Sequence, residues 1–178
     1  MAATFVALLR GINLGARNKV SMADLRELLT GLGAEDVTTY VQSGNVVFTS
    51  PAAIAKPAAI EARIARDLGL DLTVLVRTPA ELERLVARNP FTKKATESKQ
   101  LHVTFLADSP PASRVKELDP ERSPPDEFRV VGREAYLYCP NGYGRSKLSN
   151  AYFEQKLGVA ATTRNWNTVT KLAELARA

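Results

Sequence analysis

A basic loop without a carboxylate follows the first apolar run of the chain: Arg10-Gly11-Ile12-Asn13-Leu14-Gly15-Ala16-Arg17-Asn18-Lys19. It leads through Val20-Ser21 into an amphipathic stretch. Backbone N–H groups near a helix N-terminus and fixed positive side chains both favour negative charge, so this loop suits an anion. Three further segments share its character: Gln42-Ser43-Gly44-Asn45, Asn141-Gly142-Tyr143-Gly144-Arg145-Ser146-Lys147, and Thr162-Thr163-Arg164-Asn165-Trp166-Asn167. Charge for a ligand would come from Arg10, Arg17, Lys19, Arg145, Lys147 and Arg164. Orienting groups would come from Asn13, Asn18, Gln42, Ser43, Asn45, Ser146, Asn150, Asn165 and Asn167, with Trp166 offering a ring face.

Each segment also has a purely structural reading. Gly44 and Asn45 tolerate φ > 0 and would close a turn. Ser146 or Ser149 would cap one helix, and Asn165 or Thr163 another. Trp166 opens a helix that turns Val169, Leu172, Ala173 and Ala176 inward, which favours core packing over base stacking.

Other chemistries lack their residues. A phosphate loop of the GxxxxGK[ST] type needs lysine directly after the last glycine and a hydroxyl directly after lysine; here Arg145 and Ser146 intervene and Leu148 follows. Nucleophilic catalysis through histidine would depend on His102, the sole histidine, and nothing in the sequence places the sole cysteine, Cys139, beside it. His102 is expected, with Thr104, Tyr136 and Tyr138, on a sheet face turned away from the helices. No CxxC or HxxxH spacing and no carboxylate cluster accompany the polar loops, so neither a metal nor a cofactor is expected. Paired-carboxylate acid/base chemistry is equally unsupported.

The elements that must hold these loops follow from periodicity. Residues 4–10 read as a strand, 22–32 as a helix capped by Ser21 and Gly33, and 37–41 with 46–49 as a hairpin. A helix over 57–68, a strand over 72–76 and a short helix over 79–87 complete the order βαββαβ, then α. After a polar connector the order repeats: strand 101–106, helix 112–118, hairpin 128–131 with 135–139, helix 148–157, strand 159–162 and helix 166–176. The halves share element order without obvious residue identity, which suggests duplication. The expected fold is α+β: two ferredoxin-like βαββαβ halves, each followed by an extra helix, over residues 1–90 and 100–178, with 91–99 as connector. This topology brings the loop after the first strand beside the hairpin at 42–45. In the second half, the loop after the third strand lies beside residues 163–165. The proline-rich segment 110–125 reads as a charged surface excursion without assigned function.

Composition sets the wider bounds. An apolar fraction of 45% and a charged fraction of 24% over 178 residues suit a globular protein with a real core. No apolar run approaches the ~20 residues needed to cross a bilayer. The apolar start lacks a preceding basic segment and reads as a strand, and a single cysteine fits a reducing compartment, so a cytoplasmic protein without membrane partners is expected. A net charge of +5 attracts phosphates or nucleic acid through its field, although an arginine-rich composition alone produces it.

Four blocks in this order resemble the DUF1697 family: Leu8-Leu9-Arg10-Gly11-Ile12-Asn13-Leu14-Gly15 with Asn18-Lys19-Val20-Ser21-Met22; Tyr40-Val41-Gln42-Ser43-Gly44-Asn45-Val46-Val47-Phe48; Arg145-Ser146-Lys147-Leu148-Ser149-Asn150 with Phe153-Glu154 and Lys156-Leu157-Gly158; and Thr162-Thr163-Arg164-Asn165-Trp166-Asn167-Thr168. The resemblance spans nearly the whole chain. It implies a bacterial cytosolic protein of two ferredoxin-like halves and supplies no activity. The leading expectation is a protein that binds a phosphate-bearing ligand, nucleic acid or nucleotide, through these basic and amide loops. The alternative is a metal-independent enzyme acting on a small anionic substrate between the halves.

Overall fold

The computed structural model describes residues 1–12, 18–41 and 44–177. The chain forms two compact units, Met1–Arg84 with Lys171–Ala178, and Leu85–Thr170. In the first, β1 (Ala2–Leu9), α1 (Met22–Leu32), β2 (Glu35–Tyr40), β3 (Asn45–Pro51), α2 (Pro57–Leu68) and β4 (Val74–Arg77) precede α3 (Pro79–Ala87). The second has β5 (Leu101–Leu106), α4 (Ala112–Val115), β6 (Glu127–Val131), β7 (Glu134–Tyr138), α5 (Asn150–Leu157) and β8 (Ala161–Asn165), followed by α6 (Trp166–Arg177). Strand order is β2-β3-β1-β4 in one sheet and β6-β7-β5-β8 in the other, with every neighbouring pair antiparallel. This is the expected α+β architecture of duplicated ferredoxin-like halves.

Helix α1 begins where the Ser21 hydroxyl accepts the Asp24 N–H at 3.0 Å and ends at Gly33, whose φ of 106° a residue with a Cβ would resist. It packs Leu25, Leu28 and Leu29 with Ile60 and Ile64 of α2 against Ala7, Leu9, Val46 and Phe48 of the sheet. In the second unit Tyr152, Phe153 and Leu157 of α5 cover Leu106, Ala135, Leu137, Cys139 and Ala161. Burial of such apolar surface is the main favourable term in each half.

The duplication is legible in backbone bonding. The N–H that ends β1, at Leu9, donates to Gly44 O, and Leu106 N–H donates to Arg133 O in the same register. Arg10 N–H then donates to Thr73 O, as Ala107 N–H does to Ala160 O. The first N–H of the fourth strand goes to a helix glutamate in both halves: Val74 to Glu61 Oε2 at 2.9 Å, and Ala161 to Glu154 Oε2 at 3.0 Å. Arg77 faces Val6 and Arg164 faces Val103, each buried, and Thr78 or Asn165 then caps the following helix. The segments Val76-Arg77-Thr78 and Thr163-Arg164-Asn165 are thus structural equivalents, a correspondence the element order alone left unseen.

Three expectations are corrected. The helix expected over 112–118 stops at Val115, before a turn at 116–117 that leads to Pro120. The last strand runs Ala161–Asn165 rather than 159–162, because the polar residues Thr163, Arg164 and Asn165 pair with Thr104, Val103 and His102. His102 and Thr104 do not share a face with Tyr136 and Tyr138: His102 lies opposite Leu137 and Thr104 opposite Ala135, on the face covered by α5. Tyr136 and Tyr138 lie opposite Val103 and Leu101 on the other face, where the Tyr136 hydroxyl donates to Leu85 O at 2.8 Å. Side chains alternate along a strand, so one wrong partner moves a residue to the wrong side.

The halves depart from their common plan at two connections. Residues 10–21 join β1 to α1, whereas 107–111 suffice between β5 and α4. Conversely, 52–56 join β3 to α2, whereas 139–149 join β7 to α5. The longer member of each pair is a basic loop.

Candidate functional site

The β7–α5 loop is held on both sides through its backbone. Cys139 N–H donates to Gln100 O at 2.7 Å, and the Gln100 amide donates to Pro140 O at 3.3 Å. A 3-10 turn at Tyr143–Arg145 closes with Ser146 N–H donating to Tyr143 O at 2.9 Å. Lys147 N–H donates to the Ser123 hydroxyl at 3.0 Å, and that hydroxyl donates to Asp126 Oδ2 at 2.8 Å. Ser146 Oγ accepts Leu148 N–H at 3.1 Å, while Ser149 Oγ caps α5 by accepting Tyr152 N–H at 3.2 Å.

Behind the loop lies a hydroxyl cluster on the helix-covered sheet face. Asn150 Oδ1 accepts from Thr163 Oγ1 at 2.6 Å; an amide oxygen only accepts, so Thr163 spends its proton there. Thr104, at 2.7 Å, must then donate to Thr163. The Tyr143 hydroxyl is 3.0 Å from Leu148 O and 3.3 Å from Thr163 Oγ1, and its ring stacks on His102 at 4.7 Å between centroids. Burial raises the Tyr143 pKa, opposed by the Thr163 hydrogen bond. Burial pushes His102 down to about 4, leaving a neutral imidazole whose Nδ1 has no partner among the described residues. The Cys139 thiol is driven up to about 12 by burial and by Asp126, so it is protonated and a poor nucleophile. The cluster therefore holds the loop, its hydroxyls bonded to one another, to Asn150 and to Leu148 O.

What the loop presents outward is charge. Arg145 and Lys147 are exposed, and neither side chain forms an ion pair or hydrogen bond among the described residues. In the first unit, Asn18 stands at a φ of 49° and donates from Nδ2 to Gly11 O at 3.2 Å, while Lys19 beside it is exposed and without an ion pair among the described residues. Gly44 approaches this loop so closely that a Cβ there would lie 2.7 Å from Ile12 Cδ1 and 2.9 Å from Leu9 Cβ. Gly44 of the hairpin therefore lies against Leu9 and Ile12 as expected, while residues 13–17 and 42–43 of the two segments lie outside the described residues.

The sequence of the chain matches the model of DUF1697, described as a protein of unknown function, over residues 2–136. The chain belongs to the DUF1697 family. A solved structure of similar fold is described as the conserved bacterial protein SP0830 from Streptococcus pneumoniae, with a TM-score of 0.76, 22% identity and 99% of each chain covered. No functionally curated protein matches the chain.

The remaining candidate positions of this DUF1697 chain fall into distinct settings. Asn45 is fully buried and donates from Nδ2 to Tyr40 O at 2.9 Å, closing the hairpin. Arg164 is 7% exposed and turned to the sheet face opposite Thr163; it donates to Thr162 Oγ1 at 2.7 Å and to Thr163 O at 3.2 Å. Burial lowers its pKa to about 10, still well above neutrality. Asn165 accepts Thr168 N–H at 2.8 Å and caps α6. Trp166 is 9% exposed and meets Thr92, Thr96 and Leu101 at a cavity of about 220 Å³, and Asn167 is exposed beside it. Arg10 is half-buried and bonded to Thr73 O through its N–H. Asn13, Arg17, Gln42 and Ser43 lie outside the described residues. Among the described residues no group of three or more His, Cys, Asp or Glu could hold a metal, and no helix is long and apolar enough to cross a membrane.

Sequence reading missed Tyr143, Thr163 and Thr104 as the group that fixes the second loop. The hydroxyl cluster had a usable signal, because Thr104 and Thr163 fall on one face once β8 is extended to Asn165.

Proposed function

We propose that this DUF1697 protein binds a phosphate-bearing ligand, a nucleic acid or a nucleotide, through its long basic loops. The observation that supports it most is the comparison between the halves. The ferredoxin-like plan closes both connections with short segments in one half or the other, so residues 10–21 and 139–149 are longer than the scaffold requires. These extra lengths carry Lys19, Arg145 and Lys147, exposed cations without ion pairs among the described residues, and the backbone is held at Gly11 O by Asn18 and at Lys147 N–H by Ser123. Unneutralised, exposed cations favour an anion through their field.

Thermal unfolding with nucleotides, inorganic phosphate, RNA and DNA at low salt tests the reading, since a ligand that prefers the folded state raises its stability. Stabilisation by at least one of them, weakened as salt rises and in Arg145→Ala or Lys147→Ala, is the expected outcome. Failure of all of them to stabilise or bind at low salt refutes it.

A further inference from the structure

Beside the second loop stands a third cation with its own supports. The Arg122 Nε reaches Lys147 O at 3.5 Å, and its guanidinium lies over the Tyr152 ring at 4.6 Å. That ring is itself fixed, because the Tyr152 hydroxyl accepts Asp119 N–H at 2.9 Å. Asp119, Glu121 and Asp126 are near in sequence, but Asp119 Oδ1 accepts Glu121 N–H at 2.9 Å, the buried Asp126 accepts from the Ser123 hydroxyl at 2.8 Å, and none of the three forms an ion pair with Arg122 among the described residues. Arg122, Arg145 and Lys147 are all exposed. On the loop that carries two of them there is open space beside the glycines: a Cβ at Gly142 or Gly144 would meet nothing within 4 Å.

Exposed cations are weak individually. Each such pair with a small anion changes affinity by about fivefold at most, because water and salt screen it. A chain of phosphates changes the balance, since later contacts are intramolecular and each neutralised phosphate releases condensed counterions. Building on the phosphate-binding reading above, we infer that the partner of this loop is a nucleic-acid polymer gripped along its phosphodiester backbone by Arg122, Arg145 and Lys147, not a free nucleotide. A base-specific pocket is not required, and the contact is largely indifferent to sequence.

The test measures binding of a labelled 20-nucleotide single-stranded RNA to the full chain across salt, with ATP, inorganic phosphate and polyglutamate as competitors. Three contacts predict a slope of log K against log salt near −2, and loss of each cation by Arg122→Ala, Arg145→Ala or Lys147→Ala reduces it by about 0.7. The reversals Arg66→Glu and Lys171→Glu, remote on the chain, change net charge more than any single alanine variant and are expected to leave that slope within error. ATP and phosphate are expected not to compete at equal phosphate concentration. If RNA binds with a slope that ignores the three alanine changes, or if polyglutamate displaces it as well as unlabelled RNA does, this inference falls. Tight ATP or phosphate binding without RNA binding also overturns it while leaving the phosphate-binding reading intact. No binding of any of them removes both.

Discussion

Acidification from pH 7 to pH 5 is expected to destabilise the second unit through His102. Its imidazole stacks on Tyr143, and burial lowers its pKa from 6.5 to about 4, with no neighbouring carboxylate acting to restore it. The unfolded chain takes up a proton below pH 6.5, whereas the folded protein resists until about pH 4. Stability is therefore fully present above 6.5, falls as pH drops through this window, and levels off below 4. Each tenfold difference in proton affinity is about 1.4 kcal/mol, so the whole span corresponds to about 3 kcal/mol. The ring is partly exposed, and an imidazolium over the Tyr143 face regains about 0.5–1 kcal/mol. A loss of about 1–2 kcal/mol between pH 7 and pH 5 remains, or about 2–8 °C in melting temperature for a chain of this size. Because His102 is the sole histidine and Trp166 the sole tryptophan, an NMR titration of one imidazole and urea unfolding followed by one indole read the two quantities without assignment problems. His102→Phe keeps the stack and removes the titration, so its unfolding is expected to be flatter between pH 7 and pH 5. An imidazole that titrates near 6.5, or the same pH dependence in His102→Phe, refutes the reasoning.

Gly44→Ala combines a backbone φ of 80° with contacts under 3 Å to Ile12 and Leu9, and is expected to lose about 2–4 kcal/mol in urea unfolding. Gly31→Ala differs, because its Cβ would meet only the far end of Arg63 at 2.8 Å; that side chain swings away, and better helix propensity makes the change neutral to about 1 kcal/mol stabilising in a thermal melt. Glu61→Gln and Glu154→Gln each weaken a bond to the first N–H of a fourth strand, and equal losses of about 1 kcal/mol are expected from the equivalence of the halves, checked by denaturant midpoints. Thr163→Val unsatisfies Asn150 and Thr104 and is expected to lose about 1–3 kcal/mol, with faster amide exchange in residues 143–147.

Much of the fold is written locally. The Ser21–Asp24 cap, the glycine stop at Gly33, the stripe Leu25, Leu28 and Leu29, and the alternation of the strands each depend on a few neighbouring residues, so sequence alone determined the two ferredoxin-like halves and the basic loops between their elements. Pairing across a sheet was not so available. The face of His102 and the full length of β8 depend on which residue lies opposite which, and the polar run Thr163-Arg164-Asn165 resembles a loop until Thr104, Val103 and His102 are set beside it. Arg122 sits in a proline-rich segment with no pattern of its own, and only folding brings its guanidinium to Tyr152 and Lys147. Arg164, a cation by sequence, became a buried one because the alternation of its strand turns it away from Thr163 and Asn150. Charge, caps and periodicity are properties of the chain; exposure and partnership arise from long-range pairing, and tertiary structure alone decided which cations face water.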